Sequence, residues 1–151
     1  MNQLTYQLSP DYSELKKKEL WIGLNLSIDG KNPLMAPNDD DFDIRELLIS
    51  GKPGHKEAVF ILTCSCGIPG CAGYHDGIKV AFSDNTVEWI DQDQELTYQF
   101  SKGVYLSILK TLYKELRDWN HHANARGLTL RLFPDWHRTE DIIKEGAYLL
   151  E

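Results

Sequence analysis

Cys64, Cys66, Cys71 and His75 fall within one stretch, CSCGIPGCAGYH, that holds every cysteine of the chain. Their spacing is C-x-C-x4-C-x3-H. Three soft sulfurs and an imidazole are a donor set that tetrahedral zinc accepts. Gly67, Gly70 and Gly73 would let the backbone fold closely around an ion. The C-x-C pair departs from the C-x2-C spacing of many structural zinc turns. On an extended strand Cys64 and Cys66 share a face, which permits joint ligation without requiring it.

Three other readings of the same residues stand beside zinc. In the preferred one the stretch is a tight turn: Pro69 fixes φ, Gly70 accepts a positive φ, and reduced cysteines pack as small apolar side chains. A disulfide is the next; three cysteines leave one over, and a reducing compartment opposes it. Last, Cys66 or Cys71 could act as a nucleophile with His75 as its base. That would require an activated thiol.

Two further clusters are candidates for contact with a partner. Asp39, Asp40, Asp41 and Asp43 make up the acidic run NDDDFD, in which Asp39, Asp41 and Asp43 alternate as at the start of a calcium loop, but Ile44 and Ser50 stand where such a loop needs glycine and glutamate. They are therefore read as an acidic surface suited to a basic protein. Trp136, His137 and Arg138, in FPDWHRTED, could line an interface. The plainer reading of Trp136, preferred here, is that it covers one end of the core. His121 and His122 point to different helix faces and do not converge on a metal. No phosphate loop, dinucleotide fingerprint, nucleophile elbow or HExxH occurs, which weakens an enzymatic reading.

The elements that must hold these residues show in the hydrophobic pattern. Leu4, Tyr6 and Leu8 alternate, as do Leu20, Ile22, Leu24, Leu26 and Ile28, and Asp29-Gly30 then turns the chain. Residues 31–43 read as a loop, and IRELLIS as one or two helical turns or none. Residues 58–64, AVFILTC, read as a strand buried on both faces. Short alternating strands follow around Ile78–Phe82, Val87–Trp89 and Leu96–Phe100, with connections short enough for antiparallel neighbours. From Ser101 the period changes. Tyr105, Leu109, Leu112, Leu116, Trp119 and Ala123 form one stripe, which predicts a helix over about 102–125, capped by Ser101 and stopped by Gly127. Leu128, Leu130 and Leu132 suggest an edge strand, and Glu140 and Asp141 the first turn of a short final helix.

Together these predict a single α+β domain over residues 1–151. Its sheet would be an antiparallel meander of about five or six strands, covered on one face by the long helix. The cysteine stretch would be the hairpin tip joining 58–64 to the strand from Ile78.

The chain of 151 residues is 42% hydrophobic and 26% charged, within the range of folded proteins. Its net charge of −7 argues against a nucleic-acid backbone as partner. No apolar run approaches a membrane span, and MNQLTYQLSPDYSEL lacks the basic start and apolar core of a secretory leader. The expectation is a cytoplasmic protein.

A buried strand, then CxCGxxGC followed by small residues, then strands ending in VEW and YQF and a helix opening at KGVYLSILKTL, resemble a widespread family of small bacterial proteins. LNLSIDG, a strand closing on Asp-Gly, belongs to the same pattern. The resemblance covers roughly Leu20 to Leu116, and CSCGIPGCAG is its most specific part. It implies an architecture and a bacterial origin, and no activity. It does not fix histidine at the position of His75, which keeps the four-ligand zinc reading second. The function expected is non-enzymatic binding of a protein partner without a cofactor, for instance by an immunity-type inhibitor of a toxin. The alternatives are a zinc-binding protein built on Cys64–His75 and a thiol-dependent enzyme.

Overall fold

Leu20, Ile22, Leu24, Leu26 and Ile28 all turn into the core, as their alternation requires. They belong to β2 (Glu19–Ile28), the central strand of a three-stranded sheet in a computed structural model that describes residues 1–66, 68, 71–134 and 137–151, the side chain of residue 71 excepted. β1 (Leu4–Asp11) pairs antiparallel with β2, Leu4 opposite Ile28 and Asp11 opposite Trp21. Asp29, at φ 54°, and Gly30, at φ 76°, end β2. The Asp29 carboxylate accepts from Asn2 Nδ2 at 2.7 Å and from the Gln3 N–H at 2.8 Å, which ties down the start of the chain.

Residues 31–43 do not form a loop throughout. Asp40–Phe42 is a strand, β3, because Phe42 is buried and the segment pairs antiparallel with β4 (Leu62–Cys64). Asp43 then caps α1 (Ile44–Ile49), accepting from the Glu46 N–H at 3.2 Å. The apolar run 58–64 is buried as expected at Val59, Ile61, Leu62 and Cys64, but it does not return as one hairpin to β5 (Ile78–Phe82). Val59 alone bridges Ile78, through N–H···O bonds of 2.9 and 2.8 Å, while residues 62–64 pair with β3. The chain changes partner partway because β3 offers an edge beside Cys64.

β5, β6 (Thr86–Asp91) and β7 (Leu96–Ser101) form an antiparallel meander, as their short connections predict. β7 runs directly into α2 (Lys102–Ala125), where Ser101 Oγ accepts from the Val104 N–H at 3.5 Å. Tyr105, Leu109, Leu112 and Leu116 are fully buried against the sheets. Tyr113 is buried on the flank of that stripe, and its hydroxyl donates to the Ile143 carbonyl at 2.6 Å in α3 (Thr139–Gly146). Gly127, at φ 71°, redirects the chain into β8 (Thr129–Leu132).

The α+β class and the long helix packed on antiparallel sheets are as the sequence predicts. Among the described residues the strands are divided among three sheets rather than one, and β8 pairs with β2 in parallel, Leu20 opposite Leu130. Parallel pairing follows from the connection: the chain leaves the first sheet and returns along α2, a crossover rather than a hairpin. Among the described residues no helix is long and apolar enough to cross a membrane.

Candidate functional site

Cys64 ends β4 directly opposite Asp40 and is 8% exposed. The chain turns at once, and Cys64 and Cys66 form a close pair with their Cα atoms 5.4 Å apart. A short 3-10 turn, Cys71–Gly73, follows, with Ala72 at φ 58° and Gly73 at φ 89°. Tyr74 then anchors the segment to β3. Its hydroxyl donates to Asp40 Oδ2 at 2.8 Å and accepts from the Met35 N–H at 2.7 Å. Burial first, and then the Asp40 carboxylate, hold the Tyr74 phenol protonated well above its ordinary range. The return to β5 is fixed by Asp93, whose carboxylate accepts from the Asp76 and Gly77 N–H groups at 2.9 Å each.

Cys64 and Cys66 are thus brought together, while His75 is exposed. The side chain of Cys71, expected as a third zinc ligand, lies outside the described residues. Among the described residues no three His, Cys, Asp or Glu side chains converge in a way that could hold a metal ion.

The acidic run divides by role. Asp39 is exposed, whereas Asp40 is buried and also accepts from the Ala36 N–H at 3.0 Å. Asp41 is half-buried, and burial with the neighbouring Asp40 charge pushes its carboxyl up. Asp43 is closely surrounded; burial pushes it up to about 7, against the backbone N–H groups that favour its charge. Two of the four therefore serve the fold directly, Asp40 under Tyr74 and Asp43 at the start of α1. In the other expected cluster, Trp136 lies outside the described residues. His137 and Arg138 are exposed, with Arg138 Nε 3.9 Å from Glu140.

A second feature was not singled out from the sequence. A groove of about 740 Å³ lies between the C-terminal half of α2 and the β1–β2 connection. Leu20, Trp119, Ala123 and Leu128 supply apolar lining, and Tyr12 and Leu15 join it from the connection. Tyr12 is 56% exposed and Leu15 42%. Glu115 and Asp118, one turn apart on α2, bring carboxylates to the groove. Glu115 Oε1 accepts from the Tyr6 hydroxyl at 2.9 Å, which orients it. Near the helix end Arg126 donates to the His122 carbonyl at 3.2 Å. Apolar surface for burial with a few charged groups for orientation is the chemistry of a binding site.

The sequence held two signals for this groove. Trp119 and Ala123 continue the apolar stripe of α2 toward its end, and Tyr12 and Leu15 stand in an otherwise polar connection. The chain matches no protein-family model, no curated protein and no solved structure.

Proposed function

We propose that the protein is a non-enzymatic binding protein and that its groove receives a basic, amphipathic segment of a protein partner. The observation that carries this reading is the apolar groove beside α2, with Tyr12 and Leu15 left open and Glu115 and Asp118 at its wall. Covering exposed apolar surface favours association by about 25 cal/mol per Å². The carboxylates favour lysine or arginine beside the apolar residues of the partner, and the net charge of −7 draws a basic partner from a distance. Occupying a basic toxin as an immunity-type inhibitor is the form of this function that an acidic protein suits. The CSCGIPGCAG resemblance supports a bacterial origin, and the cytoplasm is the compartment proposed for that role.

The test is an NMR titration with two helical peptides that share a leucine stripe, one carrying lysines and the other glutamates. The lysine peptide is expected to shift the Trp119 indole and Ala123 signals, and salt should weaken the effect. Asp118→Lys should reduce its affinity, and Leu15→Ser should do so with less salt dependence. Equal binding of both peptides, or shifts confined to other surfaces, would overturn the reading.

A further inference from the structure

We propose that Cys64 and Cys66 form a thiol–disulfide exchange centre, in which Cys66 reacts with an outside thiol or disulfide and Cys64 resolves the intermediate. The backbone brings the two together. Cys64 is held in register opposite Asp40 as the last residue of β4, and the turn that follows brings the Cα of Cys66 to 5.4 Å from its own. In an extended strand residues two apart would be separated by about 6.6 Å. The observed spacing lies within the range that a disulfide bridges without backbone movement.

Surroundings divide the roles. Cys64 is 8% exposed, whereas Cys66 stands more open on the turn. The cross-strand neighbour of Cys64 is the buried Asp40, so that side of Cys64 is covered by β3. Exchange therefore begins at Cys66, where an outside molecule has access.

The oxidant is a small-molecule disulfide such as oxidised glutathione. The Cys66 thiolate attacks one of its sulfurs; a mixed disulfide forms at Cys66, and one glutathione leaves as a thiolate and takes up a proton. The Cys64 thiol, losing its proton as it attacks, displaces the second glutathione from Cys66. The Cys64–Cys66 bond forms, and the protein has given two electrons and two protons to the glutathione pair. Two reduced glutathiones reverse the sequence, again starting at Cys66.

The experiment equilibrates the full-length protein with mixtures of reduced and oxidised glutathione, traps thiols by alkylation and weighs the products. One transition is expected, in which two of the three thiols are lost together. It should persist in Cys71→Ser and vanish in Cys66→Ser. In Cys64→Ser, glutathione should accumulate on Cys66 at about ten-fold its wild-type level, because the resolving thiol is gone. An unchanged thiol count across all mixtures, in both the wild type and Cys71→Ser, would overturn the proposal without any need for Cys64→Ser to fold. So would a transition that survives Cys66→Ser and disappears in Cys71→Ser. Accumulation in Cys66→Ser in place of Cys64→Ser would reverse the assigned roles and overturn the proposal as stated.

Discussion

Asp43 shows how a single carboxylate can be asked for opposite things. As the cap of α1 it accepts from the Glu46 N–H, which favours its charge, but burial pushes its pKa up to about 7 and the neighbouring Glu46 adds to that. A helix of six residues has little dipole with which to resist, so burial prevails. The folded pKa is thus raised above the ordinary aspartate value of about 3.9. The stability associated with this proton is complete below that value and is lost as pH rises through about 7. The advantage of the wild type over Asp43→Asn should therefore shrink from about pH 4 to about pH 7, read from urea midpoints at matched pH. A difference that grows with pH would show that the capping charge dominates instead. The sequence placed Asp43 in an acidic surface, because a run of aspartates looks alike whether its members face water or cap a helix.

At the scale of elements, α2 was the most legible. Its stripe, its cap and its stop are all local signals, and the helix spans Lys102–Ala125 as those signals require. The second buried flank was not legible, since Tyr113 breaks the stripe and is buried only because α3 lies beside it. Gly146 in α3 records that contact. A Cβ there would come within 2.6 Å of the Tyr113 ring, which is itself tied to the Ile143 carbonyl. Alanine would gain about 1 kcal/mol in helix propensity, but the clash costs about 1–3 kcal/mol, so Gly146→Ala should lose stability on balance. Gly103→Ala, in the first turn of α2 where a Cβ meets nothing within 4 Å, should instead raise the denaturation midpoint. Equal effects at the two sites would show that propensity alone governs them. β3 escaped the sequence reading for another reason: a strand of three residues is too short to display a period.

At the scale of the molecule, Tyr105 joins parts that the chain keeps far apart. Its hydroxyl accepts from Trp89 Nε1 of β6 at 3.0 Å and lies 2.6 Å from Ser50 Oγ at the end of α1. Burial holds this phenol protonated well above its ordinary range. Tyr105→Phe keeps the packing but leaves two buried polar groups without that partner, at a cost of about 1–3 kcal/mol. Thermal unfolding checks this, and an unchanged midpoint would mean that the two groups find other partners.

The sequence by itself determined the α+β class, the short alternating strands, the long helix and the face that helix buries, because each is written as a period within one element. It also marked the cysteine stretch as a place where the chain must turn. Tertiary structure alone decided that β2 and β8 lie side by side, that Cys64 faces Asp40, and that Tyr12 and Leu15 meet Trp119 across a groove. The physical reason is common to all three. Hydrophobic periodicity states how much of an element is buried but not against what, since burial is non-directional. The partner is chosen by backbone hydrogen bonding and shape between segments remote in the chain, and no local pattern records that choice.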